Sequence, residues 1–153
     1  MDVVDKQTRS RMMAGIGSKD TKPELAVRRY LHRSGFRFRL HVTKLPGKPD
    51  LVLSKYRAVI FVQGCFWHRH SNCRYGTTPS SNVKKWTEKF AANMARDARN
   101  IAALRDAGWR VFLIWECGLR RKPVEKALEW LPGALLNRKR YFVNWPCATR
   151  GKT

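Results

Sequence analysis

Ala58-Val59-Ile60-Phe61-Val62-Gln63-Gly64-Cys65-Phe66-Trp67-His68-Arg69-His70-Ser71-Asn72-Cys73 is the stretch from which the rest of the chain can be read. Its first five residues form the most apolar run in the sequence and predict a buried strand. From Gly64 onward it combines soft metal ligands, a titratable base and two adjacent large aromatics. A strand that ends here delivers those side chains to a rim, held in place by the sheet behind them.

Outward from this stretch, the spacing predicts alternating elements. Upstream, Thr21-Lys22-Pro23-Glu24 fits a capping box, with Thr21 as N-cap and Glu24 at N3. Leu25, Val27, Tyr30 and Leu31 then make an apolar stripe that ends at Gly35, which predicts a helix over 21–34. The strict alternation of Phe36-Arg37-Phe38-Arg39-Leu40-His41 predicts a strand with one buried and one cationic face. Leu45-Pro46-Gly47-Lys48-Pro49 breaks the chain before a strand at 50–53, and Ser54-Lys55-Tyr56 reads as a hairpin turn into 57–63.

Downstream, residues 75–82 read as a polar loop. Val83, Trp86, Phe90, Met94, Ile101 and Leu104 keep helical spacing up to Gly108, which predicts one long helix capped by Asn82, with Lys84, Lys85, Lys89, Arg96 and Arg99 on its other face. Arg110-Val111-Phe112-Leu113-Ile114-Trp115 predicts a second core strand, so helix and strands form a crossover unit. A short helix is expected over 123–131 and a basic tail over 136–153. The fold class is therefore α/β, as one domain with a basic arm at 1–17 and a core at 18–135.

Composition bounds the function. The chain has 153 residues, with 32 lysines and arginines against 11 acids, a net charge of +21 and 43% hydrophobic residues. It is too apolar for a disordered basic tail, and its charge predicts a polyanionic partner, with nucleic acid ahead of membrane. No apolar run reaches the roughly 18 residues a membrane span needs, which predicts a soluble intracellular protein.

Cys65, His70 and Cys73 place three nitrogen or sulfur ligands close together, and Cys117 falls just past the last core strand. If that strand lies beside 58–62, the four residues form a closed Cys3His structural zinc site, the alternative being buried cysteines and a surface histidine. Cys147 is left as a free thiol. His68 is a general base, a phosphate ligand or a histidine supporting the metal ligands. Asp50 opens a strand in a very basic chain and asks for a positive partner, either a divalent metal or an arginine, and Glu24 either joins it or only closes the capping box. Phe66 and Trp67 cannot both face one core in an extended backbone, so at least one is an exposed wedge, whereas periodicity assigns Trp86 to the core.

Five motifs, in order and in register over about residues 5–120, resemble the very short patch repair (Vsr) endonuclease family. They are Thr8-Arg9-Ser10-Arg11-Met12-Met13, Lys19-Asp20-Thr21-Lys22-Pro23-Glu24, Leu45-Pro46-Gly47-Lys48-Pro49-Asp50, Gly64-Cys65-Phe66-Trp67-His68, and Gly108-Trp109-Arg110-Val111 with Trp115-Glu116-Cys117. The resemblance implies a restriction-endonuclease-like core, with a mixed central sheet flanked by helices, that nicks double-stranded DNA 5′ of the mispaired thymine in T·G mismatches left by 5-methylcytosine deamination. It implies Asp50 as ligand of a catalytic Mg2+, His68 as the residue that activates water, and Glu24 as a supporting acid. It implies Cys65, His70, Cys73 and Cys117 as ligands of a structural Zn2+, and Phe66, Trp67 and Trp86 as intercalating aromatics. Arg9 and Arg11 of the arm, with Lys85 and Lys89, are expected on DNA. Val62 and Gln63 stand where well-known relatives have threonine and histidine, which leaves the Val62 backbone carbonyl as the metal-facing group there. The His70 to Cys73 spacing is one residue longer than in some relatives.

The same resemblance implies a monomer in the bacterial cytoplasm, on the nucleoid when bound to DNA, with other repair proteins as partners. Two rival classes are a zinc-stabilised DNA-binding protein without catalysis and a basic RNA-binding or ribosomal protein. The second explains the charge but neither Asp50 nor the ligand cluster.

Overall fold

A computed structural model describes residues 21–120 and 122–146. The elements, in order, are α1 (Lys22–Arg33), β1 (Arg39–Leu40), β2 (Leu51–Leu53), a 3-10 turn (Ser54–Tyr56), β3 (Ala58–Gln63), α2 (Val83–Asp106), β4 (Arg110–Trp115), α3 (Glu116–Leu119), α4 (Val124–Ala127), α5 (Leu131–Leu136) and β5 (Phe142–Trp145). The five strands form one sheet in the order β1-β2-β3-β4-β5. The first three run antiparallel and the last three parallel, so the sheet is mixed and the crossover from β3 through α2 to β4 is the expected one.

Side chains alternate across the pleat and divide the core in two. Leu51, Leu53, Ala58, Ile60, Phe112 and Ile114 pack on one face against Val27 and Leu31 of α1 and Leu131 and Leu135 of α5. Val52, Val59, Val111 and Leu113 pack on the other against Leu104 of α2. Helices therefore cover both faces of an α/β sheet. Arg110, 4% exposed, donates to the carbonyls of Tyr56 (2.9 Å) and Leu135 (2.6 Å), tying the end of α5 to the β2–β3 turn.

Several expectations need correction. The strand expected over 36–41 pairs only at Arg39–Leu40, both exposed at the sheet edge, although Phe36 does turn into the core. Asn82 occupies the N-cap position of α2 in a left-handed conformation and makes no side-chain cap. Val83 and Met94 are about half exposed, at 51% and 50%, because the buried stripe of α2 runs through other residues. The helix expected over 123–131 is two short ones, with Pro132 in the first turn of α5, where its missing N–H costs nothing. Within the expected tail at 136–153, Phe142–Trp145 form β5 beside β4. Gly118 allows this end to close up, since a Cβ there would sit 2.6 Å from the Trp145 ring.

Candidate active site and metal centre

The parallel pairing of β3 with β4 builds the candidate metal centre. Gln63 lies opposite Trp115, so Cys65 and Cys117 each stand two residues beyond the last pair. After Gly64 the chain coils, with His68 N–H bonded to the Gly64 carbonyl and His70 N–H to the Cys65 carbonyl, both at 3.1 Å. That coil turns His70 back between the cysteines. Its Nδ1 is 3.4 Å from Cys117 Sγ and 3.8 Å from Cys65 Sγ. With Cys73, the four ligand atoms all lie within 4.8 Å of one another.

The tautomer of His70 is also set. Nε2 lies 2.9 Å from the Pro146 carbonyl, which can only accept, so Nε2 carries the proton and Nδ1 turns its lone pair to the thiols. The ring stacks on Trp115 at 4.3 Å. Burial lowers the His70 pKa, against the Pro146 bond, and so keeps the ring neutral. Burial also raises the thiols of Cys65 and Cys117. Thiols held protonated by burial become good ligands once a soft cation supplies the missing charge, so this donor set fits a tetrahedral metal.

A cleft of about 860 Å³ opens beside this centre and is lined by Glu24, Asp50, Val62, Trp67, His68 and Asp97, among others. Asp50, at the mouth of β2, accepts the Val62 N–H at 2.7 Å through Oδ2. Glu24 is 4% exposed on α1, where its own N–H bonds Thr21 Oγ1 at 3.4 Å, so the N-cap is as expected. Its carboxylate is bound by Arg28 Nη2 at 3.1 Å. Ligand-type atoms of Glu24, Asp50 and His41 lie within 4.8 Å of one another. Burial pushes the Asp50 carboxyl up to about 7; the Val62 N–H bond opposes this, Glu24 adds to it by charge and hydrogen bonding, and His68 lowers it. Two carboxylates crowded in a half-buried cleft fit a divalent cation between them.

His68 faces the same cleft, with Nδ1 2.7 Å from Asp97 Oδ2 on α2. An ionised carboxylate only accepts, so the proton of a neutral His68 ring sits on Nδ1 and Nε2 presents a lone pair.

The three aromatics come together as well. Phe66 and Trp67 stand 5.6 and 5.8 Å from the Trp86 ring, and Phe66 5.2 Å from Phe90. Both can meet Trp86 because the backbone at 65–69 is a turn rather than extended. Trp86 is only partly buried and lies apart from the two cores, which corrects the periodicity reading. Lys89 lies 5.1 Å over Trp67, Lys85 is exposed on the same helix, and Arg9 and Arg11 lie outside the described residues.

Residues 1–74 match the family described as DNA mismatch endonuclease Vsr. The DNA mismatch endonuclease Vsr of Escherichia coli is 42% identical over 139 residues, covering 86% of this chain and 88% of that protein. The chain belongs to the Vsr family. Two further relatives are type II nicking enzymes: V.XorIIP of Xanthomonas oryzae pv. oryzae, 49% identical over 77% of this chain and 86% of its own length, and V.NmeAIP of Neisseria meningitidis, 45% identical over 80% and 87%.

Sequence reasoning missed three groups at or beside this cleft. Asp97 had a signal, because 86, 90, 93, 97, 101 and 104 keep the helical register and place Asn93 and Asp97 on the inward stripe where Met94 was expected. His41 read as the last residue of a strand. Glu116, whose Oε1 accepts the Cys65 N–H at 3.3 Å and which lines the cleft, joins the thiol cluster to the cleft from the start of α3.

Proposed function

We propose that this chain nicks double-stranded DNA 5′ of the mispaired thymine in T·G mismatches, by Mg2+-dependent phosphodiester hydrolysis. The observation that carries the reading is the convergence of Asp50, Glu24 and the His68–Asp97 pair on one cleft beside the aromatic cluster. Family membership and relatives named as mismatch and nicking endonucleases support the reaction class. The mixed sheet with helices on both faces supports a restriction-endonuclease-like core over a single domain at 1–153.

In this reading Asp50, with Glu24 beside it and the Val62 carbonyl at the end of β3, holds Mg2+. When bound, that ion supplies positive charge against the scissile phosphate. Asp97 keeps the His68 proton on Nδ1, so Nε2 takes the proton of the attacking water. Cys65, His70, Cys73 and Cys117 hold Zn2+ and lock the ends of β3 and β4. Phe66, Trp67 and Trp86 enter the stack at the mismatch, where a poorly paired step is cheaper to open by a few kcal/mol. Lys85, Lys89 and the arm residues Arg9 and Arg11 neutralise phosphates. The protein acts as a monomer in the bacterial cytoplasm, alongside other DNA repair proteins. No described helix is long and apolar enough to cross a membrane.

The test is a panel of duplexes carrying T·G, T·A and C·G pairs in varied flanking sequence, incubated with and without Mg2+. Strand-specific nicking of T·G duplexes only with the metal is expected. Binding without incision in every context would favour the non-catalytic DNA-binding class.

A further inference from the structure

We propose that His41 is a positioning residue for the carboxylate pair: it fixes the Arg28 guanidinium on the Glu24 side of the cleft and so keeps Glu24 and Asp50 available to a divalent cation. The inference rests on the reading of Glu24 and Asp50 as the cation-binding pair.

His41 follows β1 with φ of 51°, in the left-handed region. A non-glycine residue persists there when surrounding contacts fix it, and such residues collect at functional sites. One such contact is on α1. Arg28 Nη2 lies 3.0 Å from His41 Nε2 and 3.1 Å from Glu24 Oε2. A guanidinium has donors only, so in this contact Nε2 is the acceptor, which selects the tautomer with its proton on Nδ1. A single nitrogen thus links imidazole and carboxylate, one helical turn from Glu24 itself.

The arrangement solves an electrostatic problem. An arginine beside two carboxylates competes with any incoming cation, because its planar fork pairs a carboxylate bidentately. By accepting from the same Nη2 that holds Glu24 Oε2, His41 draws that end of the guanidinium to the Oε2 side of Glu24. The same contact restrains the otherwise broad terminal torsion of the Glu24 carboxylate, which stands beside Asp50.

The test measures Mn2+ binding by the full-length protein in the absence of DNA, by titration calorimetry and paramagnetic resonance, and then the Mg2+ dependence of nicking. His41→Ala should weaken Mn2+ binding about tenfold, as is usual when a group orienting a ligand is lost. The Mg2+ concentration for half-maximal nicking should rise by a similar factor, with the rate at saturating metal almost unchanged. His41→Gln, whose amide oxygen can accept from Arg28, should recover most of the affinity. In an Arg28→Ala background, His41→Ala should add little, because the two act as one unit. Should His41→Ala not fold, His41→Phe keeps the ring and loses the acceptor, and carries the same comparison. Wild-type Mn2+ affinity in a folded His41→Ala or His41→Phe protein would overturn the proposal, as would an undiminished effect in the Arg28→Ala background. Asp50→Ala protein that bound Mn2+ like wild type would instead overturn the site reading on which it rests.

Discussion

His68 Nδ1 lies 2.7 Å from Asp97 Oδ2, across the gap between the coil after β3 and the middle of α2. The contact gives an imidazole on a turn the orientation and tautomer that a general base needs. His68→Ala should therefore lower the nicking rate by roughly 10² to 10⁴-fold. Asp97→Asn should lose a smaller part of that, since the amide keeps the shape but no longer holds the proton on Nδ1. Single-turnover rates on one T·G duplex check both, and a fully active Asp97→Asn protein would detach the pair from the chemistry.

The metal centre and β5 should stand or fall together, because His70 binds both the thiol cluster and the Pro146 carbonyl. Cys65→Ser or Cys117→Ser should remove about one zinc per chain and unfold the protein, structural zinc being worth roughly 10 kcal/mol in small peptides. Metal analysis with thermal melting decides this. A Cys65→Ser protein with an unchanged melting midpoint and full activity would contradict it.

The register of two strands explains how much of this was legible. Cys65 and Cys117 could be matched from sequence because each follows a strong apolar strand, and neighbouring parallel strands end together. The N-cap at Thr21 and the crossover through α2 were legible for the same reason, as local patterns with a mechanism. β5 was not, because Phe142–Trp145 is short, flanked by charge and stabilised by pairing with β4 rather than by its own pattern. In the site, Asp50 and His68 stood out as chemistry at strand ends. His41 and Glu116 did not, since their roles arise from contacts to Arg28 and to the Cys65 amide that only the folded chain creates.

Asp50 predicts a pH dependence of stability. Its carboxyl is raised from 3.8 to about 7, first by burial. A folded pKa above the unfolded one means that the fold binds more protons, so this contribution is fully present below about 4 and is lost as pH rises through about 7. Without divalent metal, stability should fall by roughly 2 to 4 kcal/mol between pH 4 and pH 8. Asp50→Asn, whose amide oxygen still accepts the Val62 N–H, should flatten that slope. Urea denaturation at several pH values tests it, and parallel slopes in the two proteins would refute the assignment.

Trp86 separates wedge from scaffold. It is partly buried against Phe66, Trp67 and Phe90 and outside both cores. Trp86→Ala should therefore keep most of the stability and nonspecific affinity while losing preference for mismatched duplex, by roughly 1 to 3 kcal/mol if the ring stacks on a base. Competition binding between T·G and T·A duplexes measures it. Loss of folding in the variant would mean that the ring is scaffold.

The most direct measurement of the central claim is nicking of a T·G duplex by purified Asp50→Ala protein in Mg2+. Removing this carboxylate takes away the proposed cation site and leaves the thiol cluster and the aromatic cluster intact. The variant is predicted to fold, retain its zinc and bind the mismatched duplex, yet leave the strand uncut. Nicking at the wild-type rate would contradict the account.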